Sequence, residues 1–318
     1  MADSVTIAVD TRPQPPLAVT VSEQARAQIS PMLAAAAQPM PAMSVAEMRG
    51  LAEVVGAPII AARKARYDVV SERRALGGVP VEWVEAVGTT ATPDGRLLIN
   101  FHGGGFTVDS GSLAETIPIA GLTGLPVAAL LYRLAPEHAY PAAVDDALAV
   151  YRGALSTRAA SRIAIFGTSA GAILTLQLLA RIAADGLPMP AAAGLFSGSG
   201  DLLRPGDSEG YLPALLPGKT APQVLADYLG TADPRDPAVS PVFGDLRGLP
   251  PTLLMTSTRD QLLSQTVILH LAMLKAGVAA ELQVYEGLPH AFWSYLDAPE
   301  TDDALAAQAG FLKRHVGA

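Results

Sequence analysis

Ser169 stands in the run Gly167-Thr168-Ser169-Ala170-Gly171, directly after the apolar stretch RIAIF and directly before AILTLQLLA. Gly-x-Ser-x-Gly between a strand and a helix is the spacing of a nucleophile elbow. The serine must sit on a tight turn that thrusts its Oγ out of the sheet edge. Side chains two positions away on either side would collide, which is why glycine is needed at both. A helix beginning behind the serine also favours negative charge developing nearby. The bland reading of the same five letters is an N-cap serine in an ordinary loop.

A serine hydroxyl is a weak nucleophile until a base takes its proton. The chain has five histidines, so the base can be sought by elimination. His102 precedes three glycines, and His138 lies in APEHAYP. His270 falls in the helical run VILHLAML, and His315 is near the C-terminus in a charged helix end. His290, in YEGLPHAFW, follows the last strand in a short loop. It alone satisfies the chain order serine, acid, histidine at a strand's carboxyl end. The acid that orients the imidazole should follow a strand and precede His290. Asp260 in TLLMTSTRDQLL meets both conditions, and Asp201 and Glu286 are its rivals. Asp260 would also suit a helix N-cap.

Attack on an acyl carbon creates an oxyanion, which needs backbone N–H donors held in place beforehand. One is the amide of Ala170. Others come from INFHGGGFTV, where Gly103, Gly104 and Gly105 bring backbone close to a substrate with no Cβ atoms in the way. His102 then pins the loop. A phosphate loop is a poor reading of these glycines, because no Gly-Lys-Ser/Thr follows.

These residues require a scaffold that ends several strands at one edge. From RLLINF onward, short continuous apolar strands alternate with helices: PVAALLY, RIAIF, AAAGLFSG, PTLLMTS and ELQVYE, each followed by a helical or loop segment. That rhythm predicts a mostly parallel sheet covered on both faces. Before it, ARYDVVSERRA and VPVEWVEAV read as strands joined by Gly77-Gly78. Residues 1–65 read as helical, with Ser22 and Ser44 as N-caps. Residues 200–245 are rich in Pro, Gly and Asp, with a helical piece at APQVLADYLG, and interrupt the rhythm as an insertion over the sheet's carboxyl edge. The 318 residues include no cysteine, which excludes disulfides, thiol nucleophiles and cysteine-ligated metals. The formal net charge is −8 without a Lys/Arg cluster, so nucleic acid and anionic membrane are poor partners. No apolar run approaches the roughly 18 residues of a membrane helix. The N-terminus shows no signal-peptide pattern, so the expected compartment is the cytoplasm.

The combination FHGGGF, YRLAPEHAYPAAVDDA, GTSAG, RDQL and GLPHAF, in that order, resembles the hormone-sensitive-lipase-like (bacterial family IV) carboxylesterases of the α/β-hydrolase fold. The resemblance covers residues 65 to 318. It implies a mostly parallel central sheet with helices on both faces and a helical cap. The cap would comprise residues 1–65 plus the insertion at 200–245, on a catalytic domain of residues 66–318. It further implies a serine esterase with no cofactor and no metal, acting on a small-molecule ester; a homodimer is possible. Arg133 and Glu137 would form an ion pair in a loop bracing the active-site floor. Phe106 and Trp293, beside the glycines and the histidine, are expected to contact substrate. Met32, Met40, Met43 and Met48 would supply an adaptable cap surface. Thr168 stands where many relatives carry aspartate, Ser264 and Gln265 where acids are usual, and TVDSGS replaces an apolar-glycine stretch. The expected reaction is hydrolysis of short- to medium-chain acyl esters. Amide or peptide hydrolysis with the same triad, and a non-catalytic ligand-binding relative, are the alternatives.

Overall fold

Within the computed structural model, residues 16–36, 43–88, 95–212 and 221–317 are described. Among them, eight strands form one sheet: β1 (Val69–Leu76), β2 (Val79–Ala86), β3 (Leu97–Phe101), β4 (Val127–Leu130), β5 (Ile163–Thr168), β6 (Ala192–Phe196), β7 (Thr252–Arg259) and β8 (Ala280–Pro289). Their order is β1-β2-β4-β3-β5-β6-β7-β8. The pairings from β4 to β8 are parallel, whereas β1–β2 and β2–β4 are antiparallel. Every residue of β3, β4, β5 and β6 is buried, as continuous apolar strands require when both sheet faces are covered.

The helices are α1 (Glu23–Ala36), α2 (Val45–Tyr67), α3 (Ser112–Thr123), α4 (Ala142–Leu155), α5 (Ala170–Ala184), α6 (Ala221–Leu229), α7 (Leu263–Lys275) and α8 (Pro299–His315). One face of the sheet packs against α4, α5 and α7 through Leu148, Tyr151, Leu174, Leu178 and Leu269. The other packs against α3 and α8 through Ile117, Ile119, Leu305 and Phe311. No helix among the described residues is long and apolar enough to cross a membrane.

Ser44 caps α2 in a reciprocal box with Glu47. The strand expected to begin near Tyr67 starts later, at Val69, because α2 runs on through Tyr67 and ends only where Asp68 turns left-handed, at φ 47°. α1 and the turn leading into it pack Val21, Ala25 and Ile29 into the cluster shared with α8 and β8. Its entry is tied down by Ser22, whose amide and hydroxyl both donate to Glu300 at 2.7 and 2.8 Å. Met48 is buried, Met32 and Met43 are half-buried, and Met40 lies outside the described residues.

The expected pairing of Arg133 with Glu137 does not form. Arg133 donates from its amide and its guanidinium fork to Asp146 of α4, at 2.9–3.0 Å, because that carboxylate faces both groups. Glu137 turns outward and takes both terminal nitrogens of Arg49 from α2, at 2.9 and 2.8 Å. Arg49 also donates to the carbonyls of Thr107 and Ala135, so α2 is strapped across two loops at the sheet's carboxyl edge.

α5 runs unusually close to β3. A Cβ on Gly171 would lie 1.8 Å from the carbonyl oxygen of Phe101, a backbone atom with nowhere to go. Gly171→Ala should therefore destabilise the protein by about 3 kcal/mol, whereas Gly50→Ala, with open space around it, should be neutral or raise stability by up to about 1 kcal/mol. Urea unfolding midpoints compare the two; an unchanged midpoint for Gly171→Ala would rule out the close approach.

Candidate active site

The five-residue turn after β5 adopts the strained conformation its glycines permit. Ser169 has φ 57° and ψ −120°, a region that costs a non-glycine residue about 1–3 kcal/mol. Neighbouring backbone offsets the strain. The Ser169 amide donates to the carbonyl of Phe196 at the end of β6, at 2.8 Å. The Ser169 carbonyl accepts from Ala172 and Ile173 in the first turn of α5, at 3.0 and 3.2 Å. The side chain is half-buried, and its Oγ has no hydrogen-bond partner among the described residues.

The glycine loop leaves the end of β3 beside this turn. A Cβ on Gly103 would come within 3.3 Å of Ser169 Cβ. Gly104 has φ 105°, and a Cβ there would strike the Val108 carbonyl oxygen at 2.1 Å, so only glycine fits. The Gly104 carbonyl accepts from Thr107 and Val108, while the amides of Gly103, Gly104 and Gly105 donate to no group among the described residues. His102 is buried, stacked on Tyr132 at 4.1 Å between centroids. Its Nδ1 lies 2.8 Å from the Gly103 carbonyl and therefore carries the hydrogen. Tyr132 in turn donates to the His102 carbonyl at 2.8 Å. His102 thus stiffens the loop from below.

Asp260 and His290 follow the neighbouring strands β7 and β8. Nδ1 of His290 is 2.7 Å from Oδ1 of Asp260. A carboxylate oxygen only accepts, so Nδ1 holds the hydrogen and Nε2 is left as an acceptor. Asp260 is wholly inaccessible, whereas the His290 side chain keeps 14% of its surface open, so the imidazole alone of the pair can be reached from outside. The second oxygen of Asp260 accepts from Ser197 Oγ and, at 3.0 Å, from Thr256 Oγ1, and Oδ1 also accepts the amide of Leu262 at 2.8 Å. Burial alone would raise this carboxyl. The imidazole beside it, together with the hydrogen bonds from His290, Ser197 and Leu262, outweighs burial and holds it below the usual carboxylate value. Tyr295 donates to the His290 carbonyl at 2.9 Å and fixes the turn.

The rivals are engaged elsewhere. Asp201 accepts the amides of Leu203 and Arg204 and pairs with the Arg204 guanidinium. Glu286 accepts from Thr20, and His270 Nε2 lies 3.3 Å from the carbonyl of Ala280. Two expected substrate contacts need correction. Trp293 is fully buried, edge-on to Phe196 and Phe292, with Nε1 donating to Thr168; its ring has no face left for a ligand. Phe106 is 3% exposed and stacked on Tyr228 of α6 at 3.5 Å; it joins the glycine loop to α6. Ser197, Thr256 and Glu115 went unread in the sequence. The hydroxyls in SGSG and TSTRD, placed at the ends of β6 and β7, were the available signal for the first two.

The arrangement can draw a proton from a hydroxyl at Ser169 toward a neutral imidazole and hold a developing oxyanion on backbone amides. Among the described residues no cluster of His, Asp and Glu suits a metal ion.

Residues 98–294 match the family described as the alpha/beta hydrolase fold. The chain is 34% identical to an acetyl-hydrolase of Streptomyces hygroscopicus over 80% of its own length and 90% of that protein's. It is 31% identical to an ethyl acetate hydrolase of Pseudomonas putida, over 70% of this chain and 74% of that one. Among solved structures it resembles an esterase from the bacterial hormone-sensitive lipase family, at 30% identity and a TM-score of 0.79, covering 92% of this chain and 98% of that chain.

Because the Asp260 carboxyl lies below its ordinary value of 3.8, its contribution to stability is present above that value and is lost as pH falls through the folded one. Ser197→Ala removes one donor and should move the acid-unfolding midpoint to higher pH. Tryptophan fluorescence during acid titration reads this; an identical midpoint would mean Ser197 does not support the carboxylate.

Proposed function

The chain belongs to the hormone-sensitive-lipase-like esterases of the α/β-hydrolase fold and hydrolyses carboxylic esters, and we propose that it does so through Ser169, His290 and Asp260. His290 Nε2 takes the Ser169 proton as Oγ attacks the ester carbonyl. The amides of Ala170 and of Gly103, Gly104 or Gly105 receive the oxyanion. His290 then returns its proton to the departing alcohol, leaving an acyl-serine. Water, deprotonated by the same imidazole, attacks this acyl group, and collapse releases the acid and restores Ser169. Asp260 stays ionised throughout, orienting His290 and stabilising its charged form. The observation that carries this reading is the 2.7 Å bond between His290 and the buried, multiply hydrogen-bonded Asp260. The unpartnered Ser169 hydroxyl fits with it, since such contacts often tighten only once substrate is bound.

The substrate class we propose is soluble esters of short to medium acyl chains, with a cap drawn from residues 1–65 and 200–245. Two features support it. Relatives bear the names acetyl-hydrolase and ethyl acetate hydrolase. The helix α6 lies on the glycine loop, with Val224 at the place a Gly105 Cβ would occupy, which crowds that end of the site.

Ser169→Ala should lower kcat by about 10⁶, and an organophosphonate should label the Ser169 peptide of the parent protein, as mass spectrometry will show; label on any other serine would exclude the triad. Asp260→Asn should cost about 10⁴ in kcat by presenting the wrong tautomer to His290, while Asp201→Asn stays near the parent rate. Across a series from acetyl to palmitoyl esters, kcat/KM should peak in the shorter half. A rise toward palmitoyl would refute the proposed substrate class.

A further inference from the structure

Glu115 takes no part in the steps above, yet it is a carboxyl group with only 4% exposure in the first turn of α3. Its Oε1 accepts from Ser294 Oγ at 3.0 Å and its Oε2 from Asn100 Nδ2 at 3.3 Å. The Thr168 hydroxyl lies beside the same carboxyl and acts to lower it. Trp293 Nε1 can only donate, and it lies 3.3 Å from Thr168 Oγ1, so Thr168 accepts from the indole.

One carboxyl group thus joins two segments and lies beside a third. Asn100 is in β3 just before the glycine loop, Thr168 immediately precedes Ser169, and Ser294 lies in the turn after His290. The charged groups that act on Glu115 are Arg63 of α2 and Asp109 of the loop before α3. Arg63 reaches across the same gap by another route, donating to the carbonyls of Ala114 and Trp293. Glu115 itself has no ion-pair partner within 4 Å among the described residues. Burying a carboxyl without one is unfavourable unless its oxygens are satisfied by donors, and here those donors come from the strand that leads into the glycine loop and from the turn after His290.

We propose that Glu115 is a positioning residue for ester hydrolysis: its carboxyl group holds the end of β3 and the glycine loop that follows, through Asn100, in register with the His290 turn, through Ser294. This rests on the triad proposed above. The register matters because a displacement of about 1 Å between reacting groups can cost about 100-fold in rate. Burial pushes this carboxyl up to about 7, with the hydrogen bonds from Ser294 and Asn100 and the nearby Thr168 hydroxyl only partly offsetting it. The ionised form accepts from both donors. The protonated form has one accepting oxygen and one donating hydroxyl, much like an amide.

Glu115→Gln in the full chain tests this, with a soluble acetyl ester and an organophosphonate as probes. At pH above about 8, kcat should fall about tenfold with KM within about twofold, and labelling of Ser169 should slow by the same factor. The parent-to-variant ratio should shrink toward one below about pH 6, where parent Glu115 holds its proton. Ser294→Ala and Asn100→Ala should each slow labelling about tenfold, and neither should add to the loss in the Glu115→Gln background. If Glu115→Gln fails to fold by circular dichroism, Ser294→Ala decides: parent-like labelling at high pH overturns the proposal. Equal labelling of parent and Glu115→Gln at every pH also overturns it, as does a deficit that ignores pH. Phosphonate on a residue other than Ser169 in the parent sinks the triad instead, which keeps the two failures apart.

Discussion

Everything at the carboxyl edge depends on how closely α5 can approach β3. The contact is backbone on backbone: Gly171 lies against the Phe101 carbonyl, and a Cβ on Gly167 would fall 2.4 Å from the Gly171 backbone. Only that proximity lets the chain reverse from β5 into α5 within one residue, which forces Ser169 to positive φ. It also brings the glycine loop at the end of β3 alongside Ser169. The parallel order β3-β5-β6-β7-β8 then delivers the remaining parts. Each strand ends at the same edge, so Ser197, Asp260 and His290 arrive in adjacent columns without any long-range folding of loops.

The two buried carboxyl groups near this edge show how environment divides their roles. Asp260 gathers three donors and an imidazole, and is held ionised despite complete burial. Glu115 has two donors and, among the described residues, no cation in contact, and burial prevails, raising it to about 7. The same residue chemistry yields one permanent charge and one titrating group, about 7 for Glu115, because hydrogen-bond supply differs.

Much of this was legible in the sequence. The glycines two positions on either side of Ser169 declare a close approach, and alternating apolar runs declare a covered parallel sheet. His290 could be found by elimination because only five histidines exist. What stayed hidden was partnership between distant segments. Nothing local to Arg133 indicates that Asp146 on α4 faces it while Glu137 turns to α2. Trp293 reads as a pocket aromatic from its nearness to His290, yet the turn after Ala291, at φ 54°, drives the ring inward between Phe196 and Phe292. Glu115 reads as an ordinary first-turn acid of a helix, favoured there by the helix dipole. Only the packing of α3 under α2 and the turn after β8 makes it a buried group.

The stacked rings of Phe106 and Tyr228 carry a consequence for how such a protein can change. Tyr228 belongs to α6 and is anchored from behind, its hydroxyl donating to Gln177 of α5 at 2.6 Å. The helix α6 is therefore also a support for the glycine loop, whose amides receive the oxyanion in the proposed mechanism. Exchanging α6 to admit a bulkier ester would disturb those amides at the same time. On the proposed mechanism, substrate range and turnover are inherited together, and a lineage exploring new esters has to pass through variants that are slow on the old ones, unless Phe106 and Tyr228 change as a pair.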